Sequence, residues 1–135
     1  MSDPLFRKVD CVLLAVPNLD EALRFYSDAL GHPVAWRMPE AAGLAMPETN
    51  AELVLHTALD TQTDLLVASV DTALPRFVES GGTIISGPFD IPIGRCAVVR
   101  DPFGNTLVIL DHTRGTFVTD AEKRVTGTTA DPLLR

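Results

Sequence analysis

The strongest constraint on the fold of this 135-residue chain is an internal repeat. An apolar strand, a helix and three short strands are predicted over residues 9–56, and the same order is predicted again over residues 64–111. The letters of residues 20–25 partly return at residues 71–77, with one inserted residue. The sequence therefore predicts an α+β fold made of two tandem βαβββ modules.

Turn and capping signals separate the predicted elements. In the first module Asn18 looks like a helix N-cap and Gly31 like a helix stop. The predicted strands of this module are Val9–Val16, Val34–Arg37, Gly43–Met46 and Glu52–His56. In the second module the prediction is a strand Asp64–Val70, a helix Asp71–Ser80 and the strands Thr83–Ile85, Arg95–Arg100 and Thr106–Asp111.

The repeat also sets the domain limits. Residues 1–112 are predicted to form one domain, with modules at about 7–57 and 63–112. Residues 113–135 are richer in Thr, Asp, Arg, Lys and Gly, so we expect a polar C-terminal tail or arm. Its first bulky apolar pair, Phe117 and Val118, is the most suitable part of that segment for docking.

Charge and hydropathy exclude several classes of partner. Eleven basic and 18 acidic residues give a net charge of -7, and no run of basic residues exceeds Arg7-Lys8, which argues against nucleic-acid binding. No apolar stretch approaches the roughly 20 residues that span a bilayer, and no secretory leader is recognisable. We therefore expect no membrane partner and a cytoplasmic location. Cys11 and Cys96 form no CxxC pair and are expected as buried free thiols.

Three sequence signals suggest a family. Phe25-Tyr26 lies in the first predicted helix and Leu30-Gly31 at its end, and Asp101-Pro102-Phe103-Gly104-Asn105 is predicted to be a tight turn between antiparallel strands. Together with the duplicated order of elements, they resemble the vicinal oxygen chelate superfamily of glyoxalase I, bleomycin-resistance proteins and extradiol dioxygenases. The resemblance covers about residues 9–112. It implies a curled mixed sheet with a cup-shaped cavity, a homodimer and, in the enzymes, a divalent metal held by one residue from each of four strands.

Carried onto this chain, the four metal-ligand positions of the family fall on Cys11, Val54 (with Glu52 as an alternative register), Leu65 and Val108. None of them is His, and Leu65 and Val108 have no donor atom. The resemblance therefore implies a metal-free protein without a cofactor, similar to the bleomycin-resistance branch.

Strand periodicity extends those positions to a predicted ligand-binding lining. It is mostly apolar, and its members are Cys11, Leu13, Val54, His56, Leu65, Val67, Val108 and Leu110. Trp36 is added as a stacking residue, with core or edge packing as an equal alternative. Arg95 is added as an anchor for an anionic ligand, with a solvated strand-end arginine as the alternative. His56 and Glu52 are the weak catalytic candidates, although about 13 Å of strand separates them. The favoured interpretation of His56 is the simpler one, a residue that caps the end of a strand and meets water.

Three functions remain open. The first is metal-independent binding, or sequestration, of a small and largely apolar organic molecule. The alternative is a glyoxalase-like lyase or isomerase, or a dioxygenase, with a remodelled active site. A regulatory or accessory subunit is the third, and side chains that fill the predicted cavity would favour it.

Overall fold

The computed structural model describes residues 3–129, and its elements follow the predicted order. The strands are β1 (Lys8–Ala15), β2 (Val34–Arg37), β3 (Ala41–Met46), β4 (Thr49–His56), β5 (Gln62–Leu66), β6 (Thr83–Ile91), β7 (Gly94–Arg100), β8 (Thr106–Leu110), β9 (Phe117–Thr119) and β10 (Val125–Thr128). The helices are α1 (Leu19–Leu23), which continues as a π-helical segment (Arg24–Ala29), and α2 (Val70–Glu79). The α+β class and the two tandem βαβββ modules are thereby confirmed.

The chain divides into two compact units. The first unit consists of Asp10–Thr63 and Phe117–Thr126, and the second of Asp64–Thr116 with residues 3–9 and 127–129. The strand order is β2-β3-β4-β1 in the first unit and β6-β7-β8-β5 in the second. In each unit the first strand is parallel to the fourth and the other neighbours are antiparallel, so both sheets are mixed. The sequence repeat is therefore also a repeat of topology.

The helix of the first unit begins and ends where its caps predict. The Asn18 side chain accepts a hydrogen bond from the Glu21 amide at 2.9 Å, and Gly31 has the positive φ of +84° that suits a helix stop. The apolar face of this helix packs on one side of the sheet, in a cluster of Leu19, Ala22, Leu23, Ala42, Leu44 and Leu55. The difference from the prediction is the widened π-helical turn after Leu23.

The second unit is built in the same way. Ser69 caps α2, and Val70, Ala73 and Leu74 of that helix are buried. They pack on Val67, Ala97, Val99 and Ile109 to form the core of this unit. No helix within residues 3–129 is long and apolar enough to cross a membrane.

The predicted turn between β7 and β8 is confirmed, and a carboxylate organises it. Asp101 Oδ1 accepts hydrogen bonds from the amides of Phe103 (2.8 Å) and Asn105 (2.9 Å), while Gly104 has a φ of +91°. The side-chain hydrogen bond from Asn105, followed by its backbone hydrogen bond, lowers the pKa of Asp101. Although the turn is exposed, the hydrogen bonds of the Asp101 carboxylate hold its conformation.

The segment after Thr113, expected as a tail or arm, contains a two-stranded hairpin of β9 and β10, here called the C-terminal hairpin (Phe117–Thr128). Asp120 holds its turn, because Asp120 Oδ1 accepts from the amides of Glu122 (2.9 Å) and Arg124 (3.0 Å). The part of the predicted tail at residues 130–135 lies outside the described residues.

Candidate functional site

In the first unit, the sheet face opposite the helix carries a small apolar cluster. Cys11, Leu13 and Val54 are buried there, and Trp36 packs against them. The alternate residues Leu14, Leu53 and Leu55 belong instead to the cluster under the helix. Glu52 pairs with Cys11, and Val54 with Leu13, in the β1–β4 register. We call the set Cys11, Leu13, Trp36, Glu52 and Val54 the Trp36 face.

The indole of Trp36 is held by several contacts on this face. Its Nε1 donates a hydrogen bond to Glu52 Oε1 at 2.9 Å. The ring lies over Gly43 of the neighbouring strand β3, where the absence of a side chain makes room for it. On the C-terminal hairpin, the Phe117 ring lies with its centroid 4.9 Å from that of Trp36, at an interplanar angle of 53°. Sequence reasoning proposed Trp36 for ligand stacking but did not foresee its partners Glu52, Gly43 and Phe117.

In the second unit, the sequence predicts that Leu65 and Val67 face the same way as Val108 and Leu110, and this prediction is wrong. Leu65 and Val67 pack in the core under α2, whereas Asp64 pairs with Val108 and Leu66 with Leu110. Val108 and Leu110 lie on the opposite face, in a cluster with Cys96 and the partly buried Leu66, Ile91, Ile93 and Val98. The apolar run from Leu65 does not alternate with polar residues, so it carries no signal of which side chain faces which way.

These pairings change the residues considered for a metal. Asp64, rather than Leu65, lies opposite Val108, and Glu52 lies opposite Cys11 in the equivalent strand pair. Val108 has no donor atom, and the indole already donates a hydrogen bond to Glu52. Among residues 3–129 no group of three or more His, Cys, Asp and Glu side chains is arranged to hold a metal ion. The donor set does not fit the divalent metal that the resemblance implies for the enzymes.

Cys96 is buried within the second unit, and its thiol ionises poorly. Burial raises its pKa to about 12, with further contributions from the negative charges of Asp64 and Asp111. At neutral pH the thiol is therefore protonated, and it neither attacks electrophiles nor coordinates a metal readily.

We expect Cys96 to resist Ellman's reagent in the folded protein. In a Cys11→Ala variant, which leaves Cys96 as the remaining thiol, labelling at pH 8 should be at least about a hundredfold slower than for an ordinary exposed cysteine of pKa near 8.5, because little thiolate is present and the sulfur is buried. Labelling should become rapid once urea unfolds the chain. Fast stoichiometric labelling of the folded variant would contradict the raised pKa.

His56 caps the end of β4. Its Nδ1 accepts hydrogen bonds from the amides of Ala58 (3.0 Å) and Leu59 (3.1 Å). In the neutral ring the proton then lies on Nε2, so neither nitrogen is free to take a proton from a ligand. The geometry supports the strand-capping role and gives no support to His56 as a general base.

Arg95, the predicted anion anchor, already contacts two carboxylates. Its Nε lies 3.0 Å from Asp71 Oδ1 and its terminal nitrogen lies 2.7 Å from Asp90 Oδ1. The hydrogen bond with Asp90 is the largest cause of its raised pKa. An anionic ligand would have to displace both acidic side chains, so the ion pairs do not support the anchor role.

Asp111 is an important residue that sequence reasoning missed. Only 1% of it is exposed, and its carboxylate accepts hydrogen bonds from Val70 N (2.8 Å), Arg95 N (2.9 Å), Thr113 N (3.2 Å) and Thr113 Oγ1 (2.7 Å). Burial by itself raises the pKa, but these hydrogen bonds outweigh it and lower the pKa of Asp111. The side chain joins the start of α2, the start of β7 and the segment after β8, which makes its role structural.

A separate cavity of about 420 Å³ lies at the start of α1. Its lining includes Asp20 and Arg37, whose side chains form an exposed ion pair at 3.7 Å. An exposed pair of this kind contributes little to binding or stability. None of the predicted ligand-binding residues lines this cavity, so the Trp36 face remains the candidate site.

Three comparisons relate the chain to known proteins. The family model of the Glyoxalase/Bleomycin resistance protein/Dioxygenase superfamily matches residues 8–109. An uncharacterized protein of Mycolicibacterium smegmatis (strain ATCC 700084 / mc(2)155) is 36% identical over 115 residues, which cover 80% of this chain and 94% of that protein.

Solved structures show the same fold. The methylmalonyl-CoA epimerase from Mycobacterium tuberculosis superposes with a TM-score of 0.69 at 20% identity, covering 82% of this chain and 91% of that chain. A Streptomyces coelicolor methylmalonyl-CoA epimerase in complex with 2-nitronate-propionyl-CoA gives 0.66 at 15% identity, covering 80% and 99%. At these identities the likeness extends to the fold and not to the chemistry.

Proposed function

Because this chain belongs to the Glyoxalase/Bleomycin resistance protein/Dioxygenase superfamily, we propose that it binds a small, largely apolar organic molecule without a metal ion. The observation that carries the proposal is the donor set on the Trp36 face. There the one carboxylate, Glu52, is hydrogen-bonded to the indole of Trp36. Its neighbours Cys11, Leu13 and Val54 form an apolar cluster. An apolar surface with one placed polar group is the usual composition of a small-molecule site.

We also propose a homodimer in the cytoplasm. The dimer follows from the family resemblance. The location is supported by the two buried free cysteines, Cys11 and Cys96, since thiols persist in reducing compartments.

An enzymatic alternative rests on Glu52, because its carboxylate lies on the proposed binding face and carboxylates move protons in many active sites. A lyase, isomerase or dioxygenase with a remodelled site remains the second candidate. Glu52→Gln separates the two functions, because the amide oxygen still accepts the Trp36 hydrogen bond but cannot act as a base. Ligand binding survives this change under both proposals. Turnover by the wild type that Glu52→Gln abolishes would show an enzyme, whereas binding without turnover in both proteins would support the binding function.

The metal prediction tests the main proposal. Purified protein is expected to contain well under one equivalent of Zn, Ni, Fe, Mn or Co by mass spectrometry, because the donor set does not fit such an ion. EDTA should leave unchanged both the melting temperature and the binding of N-phenyl-1-naphthylamine, a neutral aromatic fluorescent probe. A stoichiometric metal, or probe binding that EDTA abolishes, would contradict metal-independent binding.

A pair of variants places the probe on the Trp36 face. Val54→Lys puts a charge into the apolar cluster and should weaken probe binding about tenfold or more. Val78→Lys is the matched control, because Val78 is 44% exposed on α2 of the second unit. Equal probe affinity in the two folded variants would show that the molecule binds elsewhere.

A further inference from the structure

The C-terminal hairpin contacts the proposed binding face although it lies outside residues 8–109, the part of the chain that the family model matches. Phe117 packs on Trp36 at a centroid distance of 4.9 Å. The carbonyl of Lys123 accepts a hydrogen bond from the Arg37 amide at 2.8 Å, and Arg124 forms a parallel bridge with Arg37. The hairpin is therefore held against β2, the strand that carries Trp36.

Phe117 covers part of the Trp36 indole, on which an aromatic ligand of the proposed kind would stack. A tilted pair of rings at 4.9 Å is a favourable aromatic arrangement, and the ring of a bound aromatic molecule would form the same contact with the indole. We propose that the C-terminal hairpin is an intramolecular plug, with Phe117 holding the position on Trp36 that the ring of a ligand takes. This inference rests on the proposed function and adds both a ligand class and a form of control.

The ligand class follows from the surroundings of the indole. Cys11, Leu13 and Val54 beside it are apolar, and Glu52 makes an anionic group unfavourable there. The net charge of -7 acts in the same direction over a longer range. The plug is thus expected to compete with a neutral, planar aromatic molecule.

Two residues of the C-terminal hairpin can be replaced to shift its stability in opposite directions. Asp120 holds the turn through the amides of Glu122 and Arg124, so Asp120→Ala should loosen it. Lys123 adopts a φ of +67°, a left-handed conformation that costs an ordinary residue energy and costs glycine almost none. Lys123→Gly should therefore hold the hairpin more firmly. A two-stranded hairpin is marginally stable by itself, which makes it sensitive to both changes.

The experiment measures the affinity for N-phenyl-1-naphthylamine in the full-length protein. Phe117→Ala and Asp120→Ala should each bind the probe about tenfold more tightly than the wild type, and Lys123→Gly should bind it more weakly. Phe103→Ala is the matched control, since Phe103 is 86% exposed in the turn after β7, and its affinity should not change. Without probe, the emission of Trp36, the single tryptophan, should shift to the red in the first two variants.

The outcomes separate this inference from the proposed function. Equal affinity in all variants would overturn the plug and leave the binding function standing. Weaker binding by Phe117→Ala would also overturn it, since Phe117 would then be part of the binding surface. Failure of every variant to bind would overturn both proposals. If Phe117→Ala does not fold, the opposite shifts of Asp120→Ala and Lys123→Gly decide the question, and shifts in the same direction reject the plug.

Discussion

Replacing Asp111 with alanine should lower the free energy of unfolding by about 3–5 kcal/mol, which is large for a single substitution. The change removes the acceptor of four hydrogen bonds, from Val70 N, Arg95 N, Thr113 N and Thr113 Oγ1. Some of these donors are buried with the carboxylate, and a buried donor without a partner costs about 1–3 kcal/mol. Urea unfolding followed by circular dichroism measures the loss.

Two milder variants calibrate this expectation. Asp111→Asn keeps one acceptor oxygen but turns an amide group toward one of the donors, so an intermediate loss is expected. Thr113→Val removes only the hydroxyl donor and should cost about 1 kcal/mol. An Asp111→Ala protein within about 1 kcal/mol of the wild type would show that water replaces the carboxylate in this position.

The same residue gives a dependence on pH. The pKa of Asp111 is lower in the folded protein than in the unfolded chain, so its stabilising contribution is complete above the unfolded value of about 3.9. That contribution is lost as the pH falls through the lowered, folded pKa. The stability difference between wild type and Asp111→Ala should therefore narrow below about pH 4. Asp101, whose pKa is also lowered, is present in both proteins and cancels in the comparison.

Local signals made most of the fold predictable. The Asn18 cap, the Gly31 stop and the turn at Asp101–Asn105 each depend on residues a few positions apart, and the structure shows each of them. The repeat then gave the order of the elements, because each module must bury one apolar helix face against its own sheet.

The faces of the strands were harder to predict. Strand β5 contains two apolar residues in succession, Leu65 and Leu66, and they lie on opposite faces. The sequence pattern makes Asp64 the first residue of the predicted strand, yet Asp64 is only 7% exposed and pairs with Val108. A shift of one residue exchanges the two faces of a strand. The apolar stretch that starts at Leu65 has no polar alternation to fix that choice, so the sequence could not assign the candidate residues of this strand to a face.

Contacts between distant residues were the hardest to predict, because the sequence suggests that Phe117 docks but not on which residue. Trp36 contacts Glu52 across the sheet and Phe117 from the C-terminal hairpin. The aromatic pair joins residues 81 positions apart (117 minus 36), and no periodic pattern relates them. The one local hint is Gly43, because a glycine inside a strand often marks a close approach by another group.

Gly43 is also the position of the second large expected effect. A Cβ at residue 43 would collide with the Trp36 indole, so Gly43→Ala should push the ring away and break its hydrogen bond to Glu52. The apolar cluster beneath would lose its cover as well. We expect a loss of about 2–3 kcal/mol in the free energy of unfolding. The emission of Trp36 should shift to the red at the same time.

A double-mutant cycle with Trp36→Ala tests whether the indole is the cause. Gly43 does not have a positive φ, so alanine fits its backbone, and inside a strand alanine is more stable than glycine by about 0.5–1 kcal/mol. Once the indole is removed, Gly43→Ala should change sign and stabilise the protein slightly. The resulting coupling of about 2.5–4 kcal/mol would be strong for a pair of neighbours. A loss of the same size in both backgrounds would instead place the strain in the β3 backbone, and Gly43 would then have no part in positioning Trp36.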